Sequence, residues 1–402
     1  MPPRIPLLRT GHALQLLEGS AELFPALVQA IDDARREVWL ETYIFDFTGS
    51  SAEVAWALER AARRGVHVRV VVDGFGSGQP PPAWRERLVA AGVGWRAYSP
   101  PGTVGVLWPG NWRRLHRKLC VVDGQVAFCG GINILDDLHD PNHGPLPAPR
   151  LDFAVRVVGP LVEEVRGAML VLWHRRRTLD DLRRSGLAGA LPGPRRRPPP
   201  APVPPAVRQG ARATLVLRDN LRFRSSIERA YRRAIGRARN EVIIANAYFV
   251  PGRKMRRALV TAARRGVRVV LLLQGRYEYF MQYYATRPVY GALLRAGVEI
   301  HEYSPSFLHA KVAVIDGRWA TLGSSNLDPL SLLLAREANV VIEDETFASR
   351  LRARLMHAVS QEGELMDPAL FAQRPMRERL LERVALALMR VALAIQGQKT
   401  YW

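Results

Sequence analysis

Two short segments of the sequence carry the same pattern of histidine, lysine and aspartate. LHRKLCVVDG contains His116 and Lys118, and LHAKVAVIDG contains His309 and Lys311. Residues two apart on a β-strand share one face, so the histidine and lysine of each segment project together. Two imidazoles and two ammonium groups facing each other across one cleft suit the chemistry of a phosphate ester.

In such a cleft the lysines neutralise the non-bridging oxygens of the phosphate and keep phosphorus electrophilic. One histidine, neutral at its usual pKa of about 6.5, attacks phosphorus and forms a phosphohistidine. The opposite histidine, protonated, donates to the leaving oxygen and later takes a proton from the incoming alcohol or water. Cationic side chains do the work of a metal in this scheme, so we predict neither a metal site nor a cofactor.

Several polar residues that follow the histidines suit supporting roles. An asparagine lies 17 residues after each histidine, Asn133 in the first half and Asn326 in the second. Their amides can donate hydrogen bonds to phosphate oxygens, as can the hydroxyl of Ser324. Asp152 and Glu337 occupy matching positions further along and can accept the Nδ1–H of an imidazole, which fixes its tautomer.

The aspartates that close the two segments, Asp123 and Asp316, are open to a second interpretation. Each lies at an odd offset from the histidine and lysine, and each precedes a glycine. Asp-Gly is a favoured two-residue turn between antiparallel strands. The residues alone therefore favour a structural role over a chemical one for both aspartates.

The elements that position these residues are duplicated. Six blocks recur in the same order, among them AARRGVHVRVVVDG and AARRGVRVVLLLQG. Each half is predicted to form strand, helix, strand, helix, strand pair and helix, with continuous β-branched runs typical of strands buried on both faces. We therefore predict an α/β fold of two pseudo-symmetric lobes, each a mixed β-sheet flanked by helices, with one active site at the lobe interface.

The chain divides into four predicted parts: an N-terminal lobe at 1–184, a linker at 185–210, a C-terminal lobe at 211–374 and a C-terminal amphipathic helix at 375–402. Proline, glycine and arginine dominate the linker, which is typical of a solvated connection. The final helix mixes apolar residues with arginines. It suits a membrane interface, and equally a helix packed on the core.

One region breaks the equivalence of the halves. The first half has twelve extra residues before His116, and the 101–114 loop that holds them contains Trp108 and Trp112. A loop beside catalytic groups often controls substrate access. A packed surface loop anchored by the tryptophans is the alternative.

The composition limits the class of protein and its partners. The 402 residues include 58 Lys and Arg against 37 Asp and Glu, a net charge of +21. Such a chain attracts anions, either nucleic-acid phosphates or anionic lipid headgroups. Two cysteines form no disulfide framework, which favours a reducing compartment. No run of 18 apolar residues occurs, so no membrane-spanning helix is expected.

The doubled motif resembles that of the phospholipase D superfamily, His-x-Lys-x4-Asp, and both copies satisfy it. Further phrases, ETYIF, GGIN, DFAVRVVGP, YFVPG and GSSNLDPLSL, are similar to bacterial cardiolipin synthases of the shorter B type. One departure is Ala335, where an Asn is common in those relatives.

The resemblance implies a covalent phosphohistidine intermediate in a site shared by the lobes. It implies that His116 is the nucleophile and His309 the general acid and base, although pseudo-symmetry permits the reverse. The residues that it groups as catalytic are His116, Lys118, Asp123, His309, Lys311 and Asp316.

The implied reaction is transfer of a phosphatidyl group from a phospholipid to the hydroxyl of phosphatidylglycerol, giving cardiolipin. Phosphatidylglycerol is the expected donor, and phosphatidylethanolamine also fits a phosphate-centred site. The expected partners are anionic phospholipids and a membrane surface rather than nucleic acid. The expected location is the bacterial inner membrane, peripherally and on its cytoplasmic side. A phospholipase D-type hydrolase or a nuclease acting on phosphodiesters is the alternative.

Overall fold

The computed structural model describes residues 6–100, 113–185, 210–219, 223, 225–276, 280–328 and 335–395, of which 175–185, 280–283, 389–390 and 392–395 are described by backbone only. Trp108, Trp112 and almost all of the predicted linker lie outside the described residues.

The strands in the described part of the chain are β1 (Arg9–Glu18), β2 (Glu37–Thr42), β3 (His67–Asp73), β4 (Gly94–Tyr98), β5 (Arg114–Leu115), β6 (Lys118–Val122), β7 (Val126–Gly130), β8 (His139–Asp140), β9 (Gly144–Pro145), β10 (Phe153–Val158), β11 (Ala211–Arg218), β12 (Glu241–Asn246), β13 (Arg268–Gln274), β14 (Glu299–Tyr303), β15 (Lys311–Ile315), β16 (Trp319–Gly323), β17 (Ala335–Glu343) and β18 (Gly363–Leu365).

The α-helices are α1 (Gly19–Asp32), α2 (Ser51–Arg63), α3 (Pro82–Ala90), α4 (Leu161–Ser185), α5 (Ser226–Arg237), α6 (Arg253–Arg264), α7 (Phe280–Leu294), α8 (Glu345–His357), α9 (Pro368–Ala372) and α10 (Met376–Ile395). A π-helical turn, Ala358–Glu362, follows α8. None of the helices that the structure describes has the length and apolar character required to cross a bilayer.

The sheets of the two halves have the same strand order. The N-terminal lobe has the strand order β1-β10-β7-β6-β2-β3-β4, and the C-terminal lobe has the equivalent order β11-β17-β16-β15-β12-β13-β14, extended by β18. In each lobe the strands β2-β3-β4 or β12-β13-β14 are parallel and the others antiparallel, so both sheets are mixed. The predicted duplication and fold class are confirmed.

The lobes are joined through their first strands and through a shared core. β1 pairs with β11, and the register shifts between Arg9 and His12. Helices α1, α2 and α3 cover one face of the first sheet, and α5, α6 and α7 cover the matching face of the second. Between the sheets lies a core cluster to which both lobes contribute, together with α4 and α8. Apolar burial, the main favourable term in folding, therefore ties one lobe to the other.

The Asp-Gly hairpins are one residue longer than predicted. Val122 pairs with Val126 and Ile315 with Trp319, which leaves three residues in each turn. Asp123 adopts a φ of 52° and Asp316 a φ of 51°, the left-handed region that Asp tolerates better than most residues. In this conformation each carboxylate reaches the preceding loop of its own lobe.

Candidate active site

Each motif histidine lies on a segment that pairs with the opposite lobe. β5 runs parallel to the start of β17, and the His116 N–H donates to the Arg336 carbonyl at 3.0 Å. In the other half Leu308 bridges to Leu151, and the His309 N–H donates to the Leu151 carbonyl at 2.9 Å. The two histidine segments are thus exchanged between the lobes.

The histidine–carboxylate pairs are crossed in the same way. Nδ1 of His116 lies 3.1 Å from Oε2 of Glu337, and Nδ1 of His309 lies 2.6 Å from Oδ2 of Asp152. The carboxylates are 0% and 2% exposed, whereas the imidazoles are 15% and 21% exposed. Each ring is therefore held through Nδ1 by a buried carboxylate of the other lobe, which leaves Nε2 for chemistry.

One hydroxyl distinguishes the two pairs. The Ser324 hydroxyl donates to Oε2 of Glu337 at 2.5 Å. The equivalent residue in the first half is Gly131, where any Cβ would overlap the carboxylate of Asp152. Asp152 instead accepts the backbone N–H of Phe153 at 2.8 Å. The predicted association of Asp152 and Glu337 with the imidazoles is present, but the carboxylates have unequal support.

The two lysines are buried at the ends of their strands. Nζ of Lys118 donates to the His116 carbonyl at 2.9 Å, and Nζ of Lys311 donates to the His309 carbonyl. Burial, reinforced by the charge of Lys311, lowers the pKa of Lys118 to about 7. Both ammonium groups lower the pKa of both histidines, so the protonation states of these four groups are coupled.

The charges of the site follow from its burial. Burial lowers the pKa of His116, and burial together with Lys311 lowers the pKa of His309 well below its ordinary value. Burial raises the pKa of Asp152 to about 7. Burial also opposes ionisation of Glu337, but the His116 imidazole and neighbouring donors outweigh it and leave its pKa below the ordinary value. At neutral pH these shifts favour neutral imidazoles, and they favour ionisation of Glu337 over that of Asp152.

The two asparagines lie just beyond the strands that flank the lysines. Asn133 is buried, and its Oδ1 accepts the Ile44 N–H at 3.1 Å. Asn326 is also buried, and its Oδ1 has no hydrogen-bond partner within the described residues. Their donation to phosphate oxygens stays a prediction. The predicted donation by Ser324 would compete with the bond that its single hydroxyl proton makes to Glu337.

The motif aspartates lie outside this site. Asp123 is five residues from Lys118 along an extended strand, roughly 16 Å at the rise of a β-strand. Its carboxylate accepts the N–H groups of residues 35, 36 and 37 at 2.8 to 2.9 Å. Asp316 does the same for residues 239, 240 and 241, each at 2.9 Å. Grouping Asp123 and Asp316 as catalytic is therefore corrected: both stabilise turns, because their side chains are used up on backbone donors at the far end of the strand.

Sequence reasoning missed two residues that hold the histidine segments. The carboxylate of Asp73 accepts the Leu115 N–H at 2.7 Å, and Oε1 of Gln274 accepts the Leu308 N–H at 3.0 Å. Each fixes the residue immediately before a motif histidine. The signal was a polar residue closing each apolar run, VVVD and LLLQ, directly before a glycine.

A buried ion pair in the first lobe was also missed. Arg117, between the motif histidine and lysine, lies 2.8 Å from the carboxylate of Glu41, and both are nearly inaccessible. The equivalent positions of the second lobe are Ala310 and Ala245, both fully buried. An alignment of the two halves is the signal for this pair, because two charged residues in the first half stand where the second half has two alanines.

The arrangement can bind a phosphodiester without further ligands. Two lysines offer positive charge, and two partly exposed imidazoles have Nδ1 bound to a carboxylate and Nε2 available. Among the residues that the structure describes, no three His, Cys, Asp or Glu side chains are grouped as ligands for a metal ion. The chemistry that the residues can support is therefore nucleophilic attack by one imidazole and proton transfer by the other.

Comparison with known sequences finds a family model, described as "Cardiolipin synthase, PLD-like domain", that matches residues 27–143 and 231–358. The chain is 37% identical to cardiolipin synthase B of Escherichia coli K12 over 376 residues, which cover 91% of this chain and 85% of that protein. It is 30% identical to cardiolipin synthase A of Erwinia tasmaniensis over 378 residues, which cover 93% and 74% respectively.

Two solved structures share the architecture. Phosphatidylserine synthase of Haemophilus influenzae superposes with a TM-score of 0.64 at 13% identity, covering 96% of this chain and 94% of that one. Polyphosphate kinase of Porphyromonas gingivalis superposes with a TM-score of 0.55 at 15% identity, covering 94% and 53%. At such identities these structures support the fold alone.

Proposed function

Because the chain belongs to the cardiolipin synthase family with a phospholipase D-like domain, we propose that it is a phosphatidyltransferase that forms cardiolipin. It transfers a phosphatidyl group from a phospholipid, phosphatidylglycerol, to the hydroxyl of a second phosphatidylglycerol. The observation that supports this chemistry best is the pair of crossed histidine–carboxylate contacts, which bring two imidazoles and two lysines into one site.

In the first half-reaction Nε2 of His116 attacks phosphorus and an N–P bond forms. The bond between phosphorus and the oxygen of the donor headgroup breaks, and the leaving oxygen takes a proton from His309. Lys118 and Lys311 stabilise the charge that develops on the non-bridging oxygens. The negative phosphate offsets the two ammonium charges, which raises the pKa of His309 when substrate binds and allows it to carry that proton.

In the second half-reaction the hydroxyl of the acceptor lipid attacks the phosphohistidine. Its proton passes to His309, the new P–O bond forms and the N–P bond to His116 breaks. Water in place of the lipid hydroxyl gives hydrolysis instead, so the balance between transfer and hydrolysis depends on which acceptor reaches the site.

The unequal support of the carboxylates favours His116 as the nucleophile. Glu337, bonded by the Ser324 hydroxyl, stays ionised and holds the Nδ1 proton of His116, so Nε2 keeps its lone pair. Asp152, whose pKa burial raises to about 7, retains a proton more readily in its pair with His309. A pair that holds a proton near neutral pH suits the acid and base role.

The proposal includes the location and the partner. A lipid substrate places the protein at a membrane, here peripherally on the cytoplasmic side of the bacterial inner membrane. The net charge of +21 supports attraction to anionic lipid, since each basic residue near such a surface contributes roughly 1 kcal/mol.

A parallel assay on lipid and nucleic acid tests the function. Purified protein is incubated with phosphatidylglycerol vesicles and, separately, with plasmid and single-stranded DNA. Cardiolipin, identified by mass spectrometry, with intact DNA supports the proposal. Cleaved DNA without lipid turnover would overturn it in favour of the nuclease alternative, and phosphatidic acid without cardiolipin would identify a hydrolase.

Substitution of the histidines tests the shared site. We expect His116→Ala and His309→Ala each to lower the rate of cardiolipin formation by at least about 100-fold, because each removes a group that no other residue replaces. His357→Ala, which changes an exposed histidine on α8, is the control. Substantial turnover by either motif variant would contradict a single site formed by both lobes.

A further inference from the structure

Exposed apolar side chains are concentrated on one helix. Fourteen large hydrophobic side chains are exposed among the described residues, and six of them belong to α10. They are Met376, Leu380, Leu381, Val384, Leu388 and Val391, exposed by 40% to 74%. A helix of a soluble protein normally turns such residues inward, so this concentration requires an explanation.

The spacing places these residues on a continuous stripe. From Met376 to Leu380, Val384, Leu388 and Val391 the steps are four, four, four and three residues, which keep one face of an α-helix. We call these five residues the outer stripe. The opposite side of the helix is packed, as Ala385 is fully buried. Glu382, which pairs with Arg374 at 2.9 Å, is also buried on the packed side. The large apolar side chains of α10 are therefore concentrated on its outer side.

The packed side of α10 faces a helix of the C-terminal lobe. The Phe371 ring, just before α10, lies 6.0 Å from the Tyr290 ring of α7. Further along, on α10 itself, burial raises the pKa of Glu382, and the charges of Arg374 and Arg287 oppose this rise. Arg287 lies on α7, three residues before Tyr290. α7 therefore covers the packed side of α10.

The charges beside the outer stripe are positive. Arg377 and Arg383 are exposed on α10, and the whole chain carries a net charge of +21. A second copy of the chain would bring like charges together at this face. An anionic phospholipid bilayer instead pairs its headgroups with the arginines and its acyl region with the stripe.

We propose that the outer stripe of α10 docks the protein on anionic phospholipid bilayers. The proposal rests on the proposed function for the statement that the docked lipid also contains the substrate. Docking itself depends only on the stripe and its arginines.

Vesicle binding tests the docking. The stripe variant combines Leu380→Ser, Val384→Ser and Leu388→Ser, and the control variant combines Leu7→Ser, Val89→Ser and Val171→Ser, which are exposed elsewhere. In co-sedimentation with vesicles of phosphatidylglycerol and phosphatidylcholine, we expect the stripe variant to bind at least tenfold more weakly than the wild type. The control variant should bind as the wild type does. Equal binding by all three proteins would overturn the proposal.

Two further measurements separate docking from catalysis and from self-association. In detergent micelles that contain phosphatidylglycerol, the stripe variant should form cardiolipin at the wild-type rate, because micelles require no docking. If the wild type forms none there but still binds vesicles through the stripe, the proposed function fails and docking stands. If light scattering shows a wild-type dimer that the stripe variant converts to monomers, the face is a subunit interface and docking is overturned.

A single label keeps the test valid if the triple variant does not fold. Cys120 and Cys129 are buried, so one introduced surface cysteine can be labelled selectively. An environment-sensitive fluorophore on Leu388→Cys should shift its emission to shorter wavelength when phosphatidylglycerol vesicles are added. The same label on Val89→Cys should not shift. An unshifted label at position 388 would overturn the proposal.

Discussion

Single residues set the difference between the two catalytic imidazoles. Both rings contact a carboxylate of the opposite lobe, but only Glu337 receives the hydroxyl of Ser324 in the described site. Glycine at the equivalent position 131 is required by the closeness of Asp152. Although burial opposes the ionisation of Glu337, the His116 imidazole, with smaller contributions from Lys118 and the Ser324 hydroxyl, keeps its pKa below the ordinary value. Burial raises the pKa of Asp152 to about 7 instead.

Removing that hydroxyl should shift the acid side of the pH profile. Ser324→Ala removes a donor to the carboxylate and so raises the pKa of Glu337. Protonated Glu337 no longer holds Nδ1–H of His116, so the acid limb of kcat/KM should move to higher pH. We expect about a tenfold loss at pH 6 and a smaller loss at pH 8, from a hydrogen bond to a charged group worth about 1.5–3 kcal/mol.

Thr321→Val, which removes a buried hydroxyl from the same region of the second sheet, is the control for loss of packing. If the two variants shift the profile equally, the Ser324 hydroxyl has no special role.

The alkaline side of the pH profile should report the loss of the proton from Lys118. Burial lowers its pKa to about 7, so the ammonium charge is present below that pH and is lost above it. We expect kcat/KM, which reflects the free enzyme, to fall above about pH 7. Bound phosphate stabilises the ammonium, so the fall in kcat should begin at higher pH.

Lys118→Arg should remove the alkaline limb of kcat/KM, because arginine stays protonated, while lowering activity through its different geometry. An alkaline limb that persists unchanged in this variant would assign it to another group.

At the scale of elements, the segment that carries His116 is anchored differently from the equivalent segment that carries His309. Arg117 and Glu41 form a buried ion pair where the second lobe has two alanines. Burial raises the pKa of Glu41, against the attraction of Arg117, so the pair has a high desolvation cost. Breaking such a pair leaves one buried charge without compensation.

A double-mutant cycle should reveal the coupling. We expect Glu41→Leu and Arg117→Met each to lower the free energy of unfolding by about 3–5 kcal/mol. The double variant should be more stable than either single variant, since it makes this site in the first lobe apolar, as the equivalent site in the second lobe already is. Denaturant unfolding measures all four free energies. Additive losses would show that the two side chains act independently.

Most helices and strands were predictable from the sequence. The pairing of each histidine with a carboxylate of the opposite lobe was not. The duplicated blocks and β-branched runs indicated two mixed α/β lobes, because burial on both faces of a sheet leaves a clear pattern. Nothing local distinguishes His116 paired with Glu337 from His116 paired with Asp152, because the two carboxylates occupy equivalent positions. The turn role of Asp123 was predictable from Asp-Gly, whereas its three backbone partners lie about 87 residues away.

At the scale of the whole molecule, the lobes are not independent. The core cluster between the sheets includes residues of both lobes, and β1 and β11 join the sheets edge to edge. A chain of 402 residues would otherwise be expected to contain domains that unfold separately. Here each lobe would expose much of its inner apolar face if the other unfolded.

Unfolding should therefore be a single transition. We expect denaturant curves followed by far-UV circular dichroism and by tryptophan fluorescence to coincide, as two-state behaviour requires. The probes cover both lobes, since Trp39 and Trp173 report the first and Trp319 the second. Two separated transitions would show that the shared core contributes little to the stability of either lobe.

The exchange of carboxylates has a consequence for ancestry. An arrangement in which each half lends its acidic residue to the histidine of the other is closed under a two-fold rotation. A half-length ancestor could therefore have built two complete pairs simply by associating with itself, before any gene fusion. Within one chain the two copies are free to differ, as Ser324 does from Gly131 and Arg117 does from Ala310.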